Sequence, residues 1–436
     1  MKLQFEDWRI CAHSLKMEET LSSVQVQRSG HVAVTWNDCI IIWGGRDLEL
    51  SCCDTNEVMI HYDGTWRYKK TIGNVDVPRG FSYNLTAQVV GDKMYVFGGQ
   101  PFGNVHAGAH GKDPLQNQMS VLDLKSWNWS KFKPVGISPI RCINQTSWVH
   151  NNKIYVFGGG WTSSTYFGIN TDVNYPLGVQ VVDGSSYAVT NQLFCYDTAN
   201  NCFEWPSIKD EGNILTPRWG HSSFIQGKTA FIFGGNHNNL ISAINHNANR
   251  RNDLIILDLE TMILRQVHGS SNAWGLPSKR AWHSMTKISS DKAVLYGGYY
   301  ERNDCWILDV KKALQGKFVE ASSLWTECRA TDSKEELPVR ESHSAVIEPK
   351  SKRLYILGGY CGSSGTSYDI DMSDKALVIT FTPTSLELLA MEHVIKVYGP
   401  ESPLLEEFLP KDHEMRKTLE GRRHTSRKEK MLQISW

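Results

Sequence analysis

Short runs of apolar residues, each followed by polar or turn-forming residues, recur along most of the chain and predict β-strands. Runs such as "MYVF" and "LIIL" are continuous, which is typical of strands that are covered on both faces. Six of these runs end in a glycine pair, and the pairs begin at Gly44, Gly98, Gly158, Gly234, Gly297 and Gly358. Because the pairs are 54, 60, 76, 63 and 61 residues apart, the pattern indicates a sixfold internal repeat.

Three further residue types mark the same repeat. An arginine precedes each glycine pair by 16 to 19 residues, at Arg28, Arg79, Arg141, Arg218, Arg280 and Arg340. Four units continue as Arg-x-x-His, with His31, His221, His283 and His343. A second strand follows the pair, and four units then carry a tryptophan, at Trp66, Trp129, Trp205 and Trp325. Each unit is therefore expected to hold about four strands.

A four-stranded sheet has two apolar faces and cannot bury both alone. Six such sheets packed radially cover every face and leave only short edges. The glycine pair, the strand after it and the late tryptophan resemble kelch repeats over roughly residues 28–385. This resemblance implies an all-β fold, a six-bladed kelch β-propeller at 28–384. Residues 1–27 are expected either to add a strand that closes the ring or to lie on the surface.

The stretch "SLELLAMEHVI", at 385–395, departs from the strand pattern. Its apolar residues fall at helical spacing in two neighbouring stripes, Leu386, Leu389, Ala390 and Val394 in one and Leu388, Met391 and Ile395 in the other. A helix that is apolar on two sides needs two contact partners. We predict a short C-terminal helical extension at 385–420 and a basic, disordered tail at 421–436.

Composition narrows the choice of partner. The chain has 46 basic and 46 acidic residues, and this balance does not suggest nucleic acid or a membrane surface as a partner. It has no long apolar run and begins without the apolar segment of a signal peptide. The ten cysteines lack paired Cys-x-x-Cys spacing, which argues against a zinc site and for reduced thiols. We therefore predict a cytoplasmic or nuclear protein without a cofactor.

The repeat histidines invite a catalytic interpretation, because four of them in one ring would resemble a metal cage. They occupy the same position of each repeat, however, and such residues usually build blades. The sequence contains no nucleophile motif and no glycine-rich phosphate loop that opens a helix. The prediction is a protein that is not an enzyme and has no metal site.

Loops at one end of a propeller surround a natural binding site. Long insertions follow the third and fourth glycine pairs, and the loops at this end combine arginines with aromatic residues. Arginine pairs with carboxylates, and aromatic rings supply rigid contact area. The candidate peptide-binding residues are Trp161, Arg218, Asn236, Arg250, Arg251, Arg280 and Trp282. The alternative for Arg218 and Arg280 is that a repeat arginine ties its blade together.

The order of propeller, amphipathic helix and Leu-Pro pair resembles the kelch-domain-containing substrate receptors of cullin-type ubiquitin ligases. The resemblance implies that the helix is an elongin box, with Ala390 in place of the usual cysteine, and that a cullin box begins at Leu409. The implied partners are an elongin B/C-like adaptor and a cullin scaffold. The implied docking residues are Ser385, Leu386, Leu389, Ala390, Val394, Ile395, Leu409 and Pro410.

Receptors of this family capture substrate C-termini. Their pocket uses two arginines after the fourth glycine pair and a Ser-Trp pair before the fifth blade. Arg250 and Trp282 match this pattern, whereas Asn236 replaces the other arginine and Ala281 replaces the serine. Both departures remove contacts to a carboxylate, which places the usual preference for diglycine ends in doubt.

Three hypotheses follow. The first is a non-catalytic substrate-recognition subunit of a cullin-RING ubiquitin ligase, which binds C-terminal degradation signals (degrons) in the propeller. The second is a kelch scaffold that binds partner proteins without a ligase role. The third is a kelch metalloenzyme.

Overall fold

The structure is a computed structural model, and its described residues are 15–20, 27–47, 53, 56–73, 81–101, 119–130, 134–139, 142–162, 181–183, 187–210, 212, 214–237, 250–299, 303–315, 320–328, 337–361, 371–373 and 375–381. Contacts divide the chain into a large unit, Met17–Glu327 with Lys334–Thr380, and a smaller one. The smaller unit consists of Met1–Lys16, Cys328–Ser333 and Phe381–Trp436, and nearly all of it lies outside the described residues.

The first half of the large unit contains three four-stranded sheets, numbered here in chain order after β1 (Leu15–Thr20). Blade one consists of β2 (Val32–Trp36), β3 (Cys39–Trp43), β4 (Glu57–Tyr62) and β5 (Thr65–Lys70). Blade two consists of β6 (Phe81–Val90), β7 (Lys93–Pro101), β8 (Ser120–Asp123) and β9 (Asn128–Ser130). Blade three begins with β10 (Thr146–His150) and β11 (Lys153–Phe157), continues through a separate sheet of β12 (Gly160–Thr162), β13 (Val181–Asp183) and β14 (Tyr187–Thr190), and ends with β15 (Leu193–Asp197) and β16 (Cys202–Glu204).

The second half contains the other three blades. Blade four consists of β17 (Ser222–Gln226), β18 (Thr229–Asn236), β19 (Arg250–Asp258) and β20 (Leu264–His268). Blade five consists of β21 (Ser284–Lys287), β22 (Lys292–Tyr296), β23 (Cys305–Asp309) and, after helix α1 (Val310–Gln315) and a 3-10 helix (Ala321–Leu324), β24 (Trp325–Cys328). Blade six contains β25 (Ser344–Ile347), β26 (Leu354–Leu357) and β29 (Ala376–Phe381), with a two-stranded sheet of β27 (Tyr360–Cys361) and β28 (Asp371–Met372) inserted.

The predicted six-bladed propeller is confirmed, and the N-terminal segment completes it. The sixth sheet has the order β1-β29-β26-β25, so that Leu15–Thr20 supplies its fourth strand. The first strands of successive blades contact one another, and the cycle is closed by contacts of β25 with β21 and with β2. Within residues 1–27, the strand Leu15–Thr20 thus lies in the sixth sheet, whereas 1–14 and 21–26 lie outside the described residues.

Apolar side chains from neighbouring blades form the core between them. Phe231 and Leu254 of blade four pack with Leu295 and Leu308 of blade five, and all four side chains are almost fully buried. A corresponding cluster joins blade six to blade one, with Ile40, Met59, Tyr355 and Val378 among its members. Continuous apolar strands are thus covered on both faces, as their pattern predicts.

A closed ring of backbone hydrogen bonds runs around the propeller axis. In each blade one N–H donates to the carbonyl of its counterpart in the blade before, over 2.7–3.0 Å. All six residues have a left-handed backbone, with φ between 54° and 63°. These residues, here called the axis ring, are Gly30, Asn84, Asn144, Gly220, Trp282 and Ser342. Trp282 is exceptional among them, because a bulky residue rarely adopts this conformation.

The prediction that Trp205 is the repeat tryptophan of blade three is wrong. Phe203 of β16 pairs with Tyr196 of the preceding strand, just as Trp66 of β5 pairs with His61. Trp205 lies beyond the end of β16, and its indole N–H donates to the carbonyl of Ile137 over 3.0 Å. The strand register therefore gives the buried repeat position to Phe203.

Candidate functional site

The repeat arginines Arg218 and Arg280 lie inside their blades. Both are fully buried, and each donates two hydrogen bonds to an aspartate, Asp253 at 2.9 and 3.1 Å and Asp304 at 2.6 and 2.7 Å. Each also donates to the carbonyl of the first glycine of its blade's pair, over 3.0 Å. This placement favours the alternative in which these arginines tie a blade together.

The electrostatics of Asp253 agree with that role. Burial alone would raise the pKa of its carboxyl, but the charge and hydrogen bonds of Arg218 outweigh burial and hold the pKa below its usual value. Arg251 adds an ion pair to Asp253 at 3.6 Å. The aspartate therefore stays ionised in the folded protein.

The glycine pairs join each blade to the next. In blades three to six the N–H of the second glycine donates to the carbonyl of the following blade's repeat arginine, for example from Gly235 to Arg280 and from Gly359 to Arg28, each over 2.9 Å. In blade two Gly99 donates instead to the carbonyl of Cys142, over 3.1 Å. Gly235 has φ of 94°, and a Cβ there would lie 2.8 Å from the Cβ of His221. Only glycine can both adopt this φ and leave room for the His221 side chain.

The repeat histidines lie next to the axis ring, where burial is the main cause that lowers the pKa of all four, and the repeat arginines add to the effect. The ring Nε2 of His221 is 2.9 Å from Thr146 Oγ1, and that of His343 is 2.8 Å from Ser284 Oγ. Among the described residues, no three His, Cys, Asp or Glu side chains are grouped to hold a metal ion. Neutral, buried histidines that contact the preceding blade suit a structural role.

Four side chains from blades four and five form an aromatic and cationic cluster at the end of the propeller where the glycine pairs lie. The rings of Trp219 and Trp282 have centroids 6.0 Å apart, and Trp282 and Tyr299 have centroids 5.3 Å apart. The guanidinium carbon of Arg250 lies 4.5 Å from the centroid of Tyr299. Of the residues predicted from sequence, the structure thus brings Arg250 and Trp282 together.

The other three predicted residues lie on strands β12, β18 and β19. Asn236 exchanges backbone hydrogen bonds with Trp219, and its Oδ1 atom is buried without a hydrogen-bond partner in the described part of the chain. Arg251 is half-buried beside Asp253. Trp161 lies on β12, where it pairs with Ala188 of β14.

Sequence reasoning missed an acidic residue at this end. Glu341 pairs through its backbone with Tyr360, and Arg46 lies over the Tyr360 ring at 5.5 Å. Burial raises the pKa of the Glu341 carboxyl to about 7, although the positive charge of Arg250 acts in the opposite direction. The signal was available, because Glu341 follows Arg340 just as Trp219 follows Arg218. We call Trp219, Arg250, Trp282, Tyr299 and Glu341 the mouth residues.

A family model described as the KLHDC2/KLHL20/DRC7 Kelch-repeats domain matches residues 8–235 and 173–374. The chain belongs to this kelch-repeat family. The match begins upstream of the first glycine pair, in agreement with the part that β1 plays in blade six.

Named relatives support the same assignment. Kelch domain-containing protein 2 of Bos taurus is 26% identical over 394 residues, which cover 85% of this chain and 84% of that protein. Kelch domain-containing protein 1 of Mus musculus is 26% identical over 307 residues, 66% of this chain and 68% of that protein. Acyl-CoA-binding domain-containing protein 4 of Arabidopsis thaliana is 25% identical, over 67% of this chain and 38% of that protein. These findings support a role of this kelch protein in protein–protein interaction.

The predicted docking segment cannot be placed in the kelch fold, because residues 385–420 and the tail at 421–436 lie outside the described residues. Its eight docking residues, Ser385 to Pro410, remain a sequence prediction. Across the described residues, none of the helices combines the length and the apolar character that a membrane crossing requires.

Proposed function

We propose that this kelch protein is a non-catalytic substrate-recognition subunit of a cullin-RING ubiquitin ligase in the cytoplasm or nucleus. Its mouth residues bind a substrate peptide by the C-terminus, and its C-terminal helix binds an elongin-type adaptor. The observation that carries the peptide-binding half is the contact between Arg250 and Tyr299, with Trp282 beside it.

The chemistry of the mouth suits a peptide terminus. Arginine presents a planar set of donors that matches a carboxylate, and a ring beneath it limits the orientations of the guanidinium. Trp219, Trp282 and Tyr299 add rigid contact area of the kind that dominates binding energy in interfaces. Arg218 and Arg280 hold the surrounding backbone through their ion pairs with Asp253 and Asp304. The site is therefore organised before a ligand arrives, which lowers the entropic cost of binding.

A display screen of random peptide C-termini against the purified full chain tests this half of the proposal. We expect enrichment of a terminal motif, and binding that is lost when the selected peptide is amidated at its C-terminus. Enrichment of internal motifs that are indifferent to amidation would favour a kelch scaffold that binds other peptide segments.

The ligase half depends on the resemblance of residues 385–410 to an elongin box followed by a cullin box. We expect elongin subunits to copurify with the full chain from cells. Leu386→Asp places a charge in the apolar stripe and should abolish this association, whereas Glu387→Gln at the neighbouring polar position should preserve it. If elongin is absent, or if Leu386→Asp changes nothing, the scaffold hypothesis takes its place. Metal bound in stoichiometric amounts to the purified protein would instead revive the metalloenzyme hypothesis.

A further inference from the structure

Glu341 occupies the repeat position that in blade four is taken by Trp219, a member of the aromatic cluster. The residue between the repeat arginine and the axis ring is Trp219 in blade four, Ala281 in blade five and Glu341 in blade six. Glu341 and Tyr360 exchange backbone hydrogen bonds of 2.9 and 3.1 Å, as Trp219 and Asn236 do at 2.8 and 3.1 Å. Its location is therefore set by the repeat.

The carboxylate of Glu341 differs from the other acidic groups near this end. Asp253 and Asp304 each accept two hydrogen bonds from a buried arginine. Within the described part of the chain, by contrast, no hydrogen bond or ion pair joins the Glu341 carboxylate to another side chain, and Arg250 acts on it through its charge. A largely buried acid without a partner is costly, so a cationic ligand would relieve an existing penalty.

Two further oxygen atoms at this end are buried without a hydrogen-bond partner among the described residues. Asn236 stands where the resemblance implies an arginine, and its buried Oδ1 lacks a partner among the described residues. The Tyr360 hydroxyl, beside Glu341 in the backbone pairing, is also buried without a described partner. Both oxygens can accept hydrogen bonds. The mouth thus combines the cation of Arg250 with a set of acceptors.

We propose that Glu341 makes the mouth selective for peptides that carry a lysine or arginine close to the bound terminus. The cationic side chain pairs with the Glu341 carboxylate, while Arg250 binds the peptide carboxylate. The inference depends on the proposed function, since it assigns a ligand preference to the same site.

Matched peptides test the inference. A peptide from the screen with one lysine near its end is compared with the same peptide containing acetyl-lysine, which keeps the aliphatic chain but loses the charge. We expect the wild-type chain to bind the lysine form about tenfold more tightly or better, because charge-assisted hydrogen bonds are strong. Glu341→Gln should bind the two forms equally. Glu57→Gln, a partly exposed position on β4 in blade one, should retain the wild-type preference.

Each outcome separates this inference from the proposed function. Equal binding of both peptides by the wild-type chain, or a lysine preference that survives Glu341→Gln, overturns the inference while the mouth remains a peptide site. A uniform loss of affinity for both peptides in Glu341→Gln also overturns it, because Glu341 would then only position Arg250. If no peptide binds at all, the proposed function fails and this inference fails with it.

The pH dependence of peptide affinity provides a second test of the role of Glu341. Because burial raises the pKa of Glu341 to about 7, affinity for the lysine peptide should increase from pH 6 to pH 8 as the carboxylate ionises. The groups around it are Arg250 on β19, Tyr360 on β27 and Arg46 over the Tyr360 ring. Glu341→Gln should make the affinity independent of pH in this range, and a persistent dependence would contradict the assignment.

Discussion

The guanidinium of Arg250 lies over the ring of Tyr299, 4.5 Å from its centroid, although the two residues belong to different blades. Arg250 begins β19 in blade four, whereas Tyr299 follows the glycine pair of blade five. The contact places a cation of fixed orientation between two blades, next to Trp282. Cation–π contacts of this kind contribute about 0.5–2 kcal/mol. Peptide recognition should therefore depend on both blades.

Trp282→Asn should remove peptide binding while it largely preserves stability. The left-handed backbone costs a bulky residue about 1–3 kcal/mol, and asparagine occupies the same axis-ring position in blades two and three. Relief of this strain should offset the lost ring contacts, so we expect the free energy of unfolding to change by less than about 2 kcal/mol. Urea unfolding and peptide titration measure the two effects.

Trp127→Asn is the matched control for Trp282→Asn. Trp127 also has a left-handed backbone, with φ of 58°, and also contacts another tryptophan, Trp36, at 6.2 Å between ring centroids. It lies between β8 and β9 in blade two, so peptide affinity should be unchanged. If Trp282→Asn binds peptide as well as Trp127→Asn does, the aromatic cluster is not the binding site.

Substitution of one member of the buried pair Arg218–Asp253 should lower the free energy of unfolding strongly, whereas substitution of both members by apolar residues should lower it much less. Arg218→Met leaves a buried carboxylate with a weaker partner, and we expect a loss of about 3–5 kcal/mol in unfolding free energy. Adding Asp253→Leu should recover much of that loss. The midpoint of urea unfolding measures both.

A more exposed ion pair serves as the control for that cycle. Lys153 and Glu204 are 2.5 Å apart but both remain partly exposed, so Lys153→Met should cost less than about 1 kcal/mol. A double variant of Arg218 and Asp253 that is no more stable than Arg218→Met alone would contradict the view that uncompensated charge causes the loss.

Stability should decline as the pH falls below about 6.5. Burial lowers the pKa of His31, His221, His283 and His343 in the folded state, so the unfolded chain binds more protons below the ordinary value of 6.5. Unfolding free energy therefore decreases with acidification, by up to about 1.4 kcal/mol per pH unit for each histidine. Urea midpoints between pH 5 and pH 8 measure this slope.

Replacing one of these histidines should make the slope shallower. Leu85 occupies the corresponding position in blade two, so His283→Leu is a substitution that the fold already accommodates elsewhere. An identical pH dependence for His283→Leu and the wild type would show that the buried histidine does not contribute.

Removal of β1 should destabilise blade six. Deletion of residues 1–20 exposes the edge of β29, which then presents unpaired backbone groups and promotes association between chains. Deletion of residues 1–14 keeps β1 and is the control. We expect a lower melting temperature and more aggregation for the longer deletion only, as measured by thermal unfolding with light scattering. Equal behaviour of the two would contradict the closure by β1.

Much of the architecture can be predicted from local sequence, because each blade repeats the same residue types at equivalent positions. The glycine pairs mark the ends of the second strands, and the repeat arginines mark the blade ties, since both roles need particular residue types. Strand β1 cannot be predicted with certainty from sequence, because "LKMEET" lacks a clear alternation and its partner β29 is distant in the chain. The strand register in blade three could not be predicted either, because "CFEW" contains two aromatic residues. Only the pairing with Tyr196 shows that Phe203 takes the repeat position.

The candidate site was less predictable than the fold. Arg250 and Trp282 could be proposed from loop position and from resemblance, but their contacts with Tyr299 arise only when neighbouring blades pack together. Glu341 was missed because its repeat position carries a different residue type in each blade. The pKa of Glu341 depends on its burial and on the charge of Arg250, and no local sequence pattern predicts either of them.

The most direct test of the account is the affinity of one selected peptide for the wild-type chain and for Arg250→Gln, each with a free and with an amidated peptide C-terminus. Loss of a charge-assisted contact should weaken binding about tenfold or more. The account predicts that amidation weakens binding to the wild type by such a factor and has little further effect on Arg250→Gln, with Arg67→Gln on β5 behaving as wild type. An amidation effect of the same size in Arg250→Gln and in the wild type would contradict the assignment of the mouth as the site for a peptide terminus.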